Sequence, residues 1–352
     1  MASLIRKPYI GQIPPANEAA GCETLLYANE NPNNLPISII GPERIAEIAC
    51  LSFNRYPDCE ALDLRKAYAA YLGNGLSYSN IAAGNGSDEL IRSIGEVFFD
   101  YSEAVLSFEP AFSVYKRSAS LAKASYTGIN SSLPYNKPEV GQAISMANSM
   151  NAKAIFVCSP HNPLGYAWAA QDIIYLKENT NCLIVVDEAY IEFSEKESIW
   201  PLAVNDSRLI VLRTLSKAFS LASMRIGFAV STPENIDAIN CALDLYNINS
   251  FSQAIGIEAL SLSYKSQIDK AVEQIKSERN RMFGILSEIK GITVYPSEGN
   301  FLYIKSEKAA QIAQAALEAG ILIRTYQDPI HIRASVGTAI ENDKLLSIIL
   351  EI

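Results

Sequence analysis

LIVVDEAYIEF occupies positions 183–193, and LIVLRTLSKAF occupies 209–219. Each opens with an almost wholly apolar run of strand length and then turns polar: Asp187 and Glu188 in the first, Thr214, Ser216 and Lys217 in the second. Runs of the same kind recur as AVLSF (104–108), AIFVCS (154–159) and IGFAV (226–230), separated by helix-length segments. Short continuous apolar runs in that rhythm predict strands buried on both faces of a mainly parallel sheet. In such sheets the chemistry gathers beyond the carboxyl ends of the strands, where Asp187 and Lys217 fall.

The flanking segments fit around that sheet. Residues 1 to about 30 read as irregular, with Pro8, Pro14 and Pro15. Leu64, Ala67, Tyr68 and Tyr71 fall three and four apart and predict a helix over 60–72. GNGSDE (84–89) is a glycine turn opening another helix, with Ser87 or Asp88 as its expected N-cap. Beyond about 245 the pattern changes. A long helix over roughly 265–290 carries Ile268, Val272, Ile275, Met282, Leu286 and Ile289 along one stripe. ITVYP, FLYIK, a helix over 307–319, ILIRTY, HIRASV and a last helix from about 341 follow, and two-residue alternation marks the later strands as half-exposed. The expected architecture is α/β: a three-layer α/β/α large domain, 31–245, and a smaller α+β domain from 1–30 and 246–352.

Composition narrows the function. The chain has 352 residues, 49% of them hydrophobic and 19% charged, enough for a sizeable core. A net charge of −9 argues against nucleic acid or an anionic membrane as the bulk partner. No apolar run approaches a bilayer span, and MASLIRKPYIGQIPP lacks a signal-peptide core. The six cysteines are scattered without a C-x-x-C pair, as expected for reduced thiols in the cytoplasm. With only His161 and His331 present, a zinc site or a Ser-His-Asp triad has little to draw on, and no metal is expected. A cofactor has to bring the reactivity.

Each motif alone has a plain alternative. VVDEA resembles a Walker B strand, but the chain lacks the G-x-x-x-x-G-K-[ST] loop that ATP binding needs. GNGSDE is not the dinucleotide fingerprint, although a helix N-terminus behind a glycine turn binds phosphate through free N–H groups. SPHNPLG (159–165) reads as a turn that places Asn162 just past a strand end. The order of these elements is more specific than any one of them. A phosphate-type loop, Asn162, Asp187, Tyr190, Lys217 and Arg225 follow one another at or just beyond strand ends. Lys217 itself lies among small and hydroxyl side chains, with Arg213 and Arg225 on either side and no acid within 213–225. Burial and nearby cations disfavour its charge and make the amine nucleophilic.

ANENP (28–32), NRYPD (54–58), GNGSDEL, NPLG, VVDEAYIEF, RTLSKAF with Arg225, and IRASVGT (332–338) together resemble the fold-type-I pyridoxal phosphate aminotransferases. The likeness runs from about residue 26 to 340 and is strongest to the histidinol-phosphate aminotransferase subgroup. It implies pyridoxal 5'-phosphate as cofactor and an aspartate-aminotransferase-like fold. Lys217 would be the Schiff-base lysine and proton shuttle. Asp187 would pair with the pyridine nitrogen, Tyr190 and Asn162 with the ring oxygen, and Phe112 would stack on the ring. Gly86, Ser87, Asp88, Thr214, Ser216 and Arg225 would cradle the phosphate. Tyr56 would reach it from the second subunit of an obligate homodimer.

For the substrate the resemblance implies Arg333 as the anion-binding arginine, assisted by Arg324, Asn29 and Tyr9. The implied reaction converts L-histidinol phosphate and 2-oxoglutarate to imidazole-acetol phosphate and glutamate. The sequence departs from the pattern at Leu164, Phe112, Ser220 and Ser223, and in the nine-residue step from Arg324 to Arg333. These departures bear on the substrate and leave open an aromatic amino-acid aminotransferase or a threonine-phosphate decarboxylase. A non-catalytic binding module on this fold is the alternative from another class, and intact Lys217, Asp187, Tyr190 and Arg225 argue against it.

Overall fold

The computed structural model describes residues 21–130 and 137–352. Among the described residues, twelve strands form two sheets. They are β1 (Thr24–Leu26), β2 (Ile81–Asn85), β3 (Ala104–Glu109), β4 (Ser125–Asn130), β5 (Ala154–Cys158) and β6 (Leu183–Asp187). After these come β7 (Leu209–Thr214), β8 (Ile226–Val230), β9 (Ile292–Val294), β10 (Phe301–Ser306), β11 (Ile321–Thr325) and β12 (His331–Ser335).

The large sheet has the order β2-β8-β7-β6-β5-β3-β4. The pairings among β7, β6, β5, β3 and β4 are parallel. β8 is antiparallel to both β2 and β7. IGFAV, one of the runs read as buried strands of a mainly parallel sheet, is thus antiparallel to both its neighbours. An apolar run reports burial on both faces, not direction.

Side chains alternate between two apolar layers along these strands. Val105, Phe156, Val185 and Ile210 pack with Leu90, Ile94 and Ala119 of helices Ser87–Phe98 and Ser113–Leu121. Leu106, Ile155, Val186 and Val211 pack on the opposite face, in the core that holds Leu64, Tyr68 and Ile255 of helices Leu62–Leu72 and Ser250–Ala259. That period of two in strands covered on both faces gives the three-layer α/β/α arrangement.

The small sheet has the order β1-β11-β12-β10-β9. β1 lies in the stretch expected to be irregular. Three residues carry no readable period, and the strand exists because Thr24, Leu25 and Leu26 pair in parallel with Ile321, Leu322 and Ile323. Helix Lys265–Ser287 packs against this sheet, with Ile268, Val272, Ile275, Met282 and Leu286 buried. No helix among the described residues is long and apolar enough to cross a membrane.

An ionic cluster supports the strand ends. Arg213 is buried on β7, and its guanidinium donates to Glu188 Oε2 at 3.2 Å and Glu192 Oε1 at 2.6 Å. Glu188 also accepts from the Ile199 N–H at 2.9 Å and from the Ser198 hydroxyl. Removing one partner of a buried pair leaves an uncompensated charge, which costs more than the pair contributes. Arg213→Leu is expected to lower stability by about 3–5 kcal/mol, read as a lower urea midpoint. Adding Glu188→Gln and Glu192→Gln should recover part of the loss, and an unchanged midpoint in Arg213→Leu would discard this account.

Candidate active site

β5, β6 and β7 run in parallel and end side by side, with Cys158 paired to Asp187 and Asp187 to Leu212. A cleft of about 640 Å³ opens at these ends and reaches the small sheet. Its floor is Asp187, 3% exposed at the last position of β6. One carboxylate oxygen accepts the Tyr115 hydroxyl at 2.6 Å and the other the Ala189 N–H at 3.1 Å. Burial raises its pKa to about 6 in spite of both hydrogen bonds.

Lys217 lies in the turn after β7, and its ammonium faces the cleft. It donates to the Ala28 carbonyl at 2.9 Å and lies 5.9 Å from the centre of the Tyr190 ring. Burial, then the charges of Arg333 and Arg225, lower its pKa to about 8. Glu30 and Asp88 act in the opposite sense. The carboxylate-free surroundings expected from 213–225 hold only along the chain, because these two acids arrive from distant segments.

Tyr190 stands above Asp187. Its hydroxyl oxygen accepts from the Asn29 carboxamide at 3.0 Å and from the Asn162 carboxamide at 3.3 Å. Asn162 Oδ1 in turn accepts from Arg333, whose other terminal nitrogen donates to the Tyr27 carbonyl at 2.7 Å. Arg333 lies directly opposite Arg324 in the β11–β12 pairing, and both line the same end of the cleft.

Ser87, Asp88, Thr214, Ser216 and Arg225 line the cleft on the side of the large sheet. Gly86, not Ser87 or Asp88, is the N-cap of helix Ser87–Phe98, with φ 80° and no side-chain cap. Its positive φ favours glycine, and a Cβ there would also lie 2.4 Å from the Arg225 guanidinium. A Cβ at Gly227 would likewise meet the Ser87 nitrogen at 2.4 Å. Glycines bring Arg225 and an uncapped helix N-terminus together, and that combination holds phosphate. Arg225 meanwhile pairs with Asp88 at 3.4 Å.

Phe112 lines the cleft with its ring edge-on to Tyr115, centroids 5.7 Å apart. Tyr56 is absent from the lining; it is 80% exposed and stacks on Tyr246 at 4.4 Å. Tyr9 lies outside the described residues. Sequence reasoning missed Tyr115, three positions after Phe112 in EPAFSVY, because its target, Asp187, is 72 residues away. It also missed the backbone of Tyr27 and Ala28, and Tyr326, which lines the cleft edge-on to Tyr303 at 5.4 Å.

Pyridoxal 5'-phosphate fits this donor set. The uncapped helix and Arg225 suit its phosphate, and Asp187, with two neutral donors and no bonded cation, suits a protonated ring nitrogen. Tyr190 and Asn162 suit the ring oxygen, and the Lys217 amine suits the aldehyde.

The model of the family described as aminotransferase class I and II matches residues 24–349. The chain belongs to that family. The histidinol-phosphate aminotransferase of Caldanaerobacter subterraneus subsp. tengcongensis is 35% identical over 332 residues, 92% of each chain. That of Thermoanaerobacter pseudethanolicus is 38% identical over 300 residues, 85% of this chain and 83% of the relative. The fold matches the crystal structure of histidinol-phosphate aminotransferase from Sinorhizobium meliloti in complex with pyridoxal-5'-phosphate. The TM-score is 0.82 at 24% identity, over 94% of this chain and 90% of that one. The aspartate-aminotransferase-like fold read from the sequence is the fold of this class I and II aminotransferase.

A raised carboxyl pKa sets a sign for this aminotransferase freed of cofactor. Asp187 favours the folded state when protonated, and that contribution is lost as pH climbs from about 4 through about 6. Asp187→Asn removes the titration. The cofactor-free variant should exceed the parent in stability at pH 7 by up to about 3 kcal/mol and match it near pH 4. Thermal unfolding against pH measures this, and a difference independent of pH would rule Asp187 out as the titrating group.

Proposed function

We propose that this aminotransferase uses pyridoxal 5'-phosphate to transfer the amino group of L-histidinol phosphate to 2-oxoglutarate, giving imidazole-acetol phosphate and glutamate. The observation that carries the substrate reading is the facing pair Arg324 and Arg333 at the end of the cleft. A second cationic site, apart from the Arg225 site, suits an amine that bears its own phosphate. The names of the relatives support the same donor over an aromatic amino acid or a decarboxylase.

The proposed roles are those that the chemistry and the resemblance imply. Arg225, Thr214, Ser216 and the N–H groups behind Gly86 bind the cofactor phosphate. Asp187 holds the proton on the ring nitrogen, oriented by Tyr115 and Ala189. Phe112 packs against the ring, and Tyr190 and Asn162 orient its oxygen. The bound cofactor supplies an electron sink for the pair left when the C–H bond beside the amino group breaks. Lys217, with a pKa of about 8, is about one-tenth neutral at pH 7, far more than an ordinary lysine, and takes that proton. Arg333, Arg324 and Tyr9 bind the substrate anion. Tyr56 completes the phosphate site of a partner copy, a role that its exposure outside its own cleft supports. The reading includes a cytoplasmic homodimer, no metal, and a large unit of 31–245 with a small one of 1–30 and 246–352.

The test is a half-reaction on protein loaded with cofactor. L-histidinol phosphate alone should bleach the visible absorption, and 2-oxoglutarate should restore it. Lys217→Ala should do neither. Arg333→Ala should raise the half-saturating donor concentration by about 10–100-fold, as for loss of a charge-assisted contact. Bleaching by phenylalanine or threonine phosphate instead would move the enzyme to another substrate.

A further inference from the structure

Asn29, expected at the substrate, lines the cleft and is fully buried there. Its backbone is left-handed, with φ 54°, a conformation that costs most residues energy but that asparagine, aspartate and glycine tolerate. Three contacts hold it there. Its N–H donates to Ser335 Oγ at 2.8 Å, and Asn300 donates to its carbonyl at 3.0 Å. The Ser335 hydroxyl donates to its Oδ1 at 3.4 Å. With Oδ1 used in this way, the carboxamide NH2 faces Tyr190 and donates to its hydroxyl at 3.0 Å.

A tyrosine hydroxyl has one proton and two acceptor positions. Asn29 and Asn162 both donate to the Tyr190 oxygen, at 3.0 and 3.3 Å. The hydroxyl proton is therefore directed away from both amides, leaving the group free to donate. We propose that Asn29 is a positioning residue that fixes the Tyr190 hydroxyl as a donor toward the cofactor. This rests on the reading above that Tyr190 meets the cofactor's ring oxygen. The same segment is tied to the lysine: the Asn31 carboxamide donates to the carbonyls of Lys217 and Ala218, each at 3.2 Å. Residues 27–31 therefore form a strap joining β12, which carries Arg333 and Ser335, to the lysine turn and Tyr190.

The left-handed backbone makes the side chain testable. Asn29→Gly deletes the amide without strain. Asn29→Asp keeps the shape but presents a carboxylate, which accepts the Tyr190 proton and turns the hydroxyl away from the cofactor. A hydroxyl donating to the ring oxygen favours its anionic form and lowers the pH midpoint of the visible band of the loaded protein. Both variants should raise that midpoint, Asn29→Gly by roughly 0.5–1 pH unit, the span of one ordinary hydrogen bond, and Asn29→Asp by at least as much. Tyr190→Phe is the reference, and thermal unfolding of each variant reports folding separately. A shift in Tyr190→Phe with none in either Asn29 variant would overturn this proposal and leave the reading of Tyr190 standing. No shift in Tyr190→Phe would overturn the reading of Tyr190 and the proposal with it.

Discussion

Asp187 and Glu188 are adjacent buried carboxylates, and the difference between them organises the molecule. As neighbours at a strand end they point to opposite sides. Glu188 meets Arg213 and is neutralised within the fold. Among the described residues, Asp187 takes its hydrogen bonds from a phenol and a backbone N–H, both neutral, and the charge of Lys217 acts on it without a hydrogen bond. Burying an ion without a counter-ion costs several kcal/mol, and its raised pKa reflects that strain. A buried acid whose hydrogen-bond donors are neutral suits a cation that arrives from outside. The protonated ring of the cofactor is such a cation. The parallel register of β5 to β7 puts this charge at the floor of the cleft, and Lys217, Tyr190 and Asn162 are placed around it by the turns that follow.

The small sheet supplies the other half of the site. Arg333 touches Asn162, and Ser335, two residues on along β12, holds Asn29. Both asparagines converge on Tyr190. Arg333 and Tyr190 are therefore joined by a run of hydrogen bonds through two separate segments. A shift of β12 cannot leave Tyr190 unaffected. The strap is short: it contributes backbone carbonyls and amide side chains, and its one acid, Glu30, favours the charged form of the lysine against the two arginines.

Much of this was legible in the sequence because its causes are local. Apolar runs ending in DEAY and SKAF gave the strands and the chemistry at their carboxyl ends, and the three-and-four spacing gave helices close to their observed limits. What escaped depends on contacts across the chain. Three-residue β1 exists only through β11, and the direction of β8 is set by its neighbours. The helix begins one residue after Gly86, whose positive φ and closeness to Arg225 come from the tertiary arrangement. Tyr115 gains its role from Asp187, and Glu30 and Asp88 reach Lys217 from remote segments. Nothing in EPAFSVY or ANENP announces these partners, since hydrophobic period and turn chemistry carry no information about which distant strand end a side chain will meet.

The charges around Lys217 act at different moments. Burial is the first cause of its lowered pKa, followed by Arg333, with Arg225 adding to it. Burial is permanent, but the two arginines face sites that take anions. A phosphate on Arg225 and a substrate anion on Arg333 would each offset one of the positive charges that depress the amine. Without ligands the lysine is thus held at its least basic, where a neutral amine is needed to capture an aldehyde. With both anions in place it becomes more basic, when its task is to pull a proton from carbon. On the proposed roles, the two arginines that would bind the ligands would also set the lysine's proton affinity, and neutralising either would raise it.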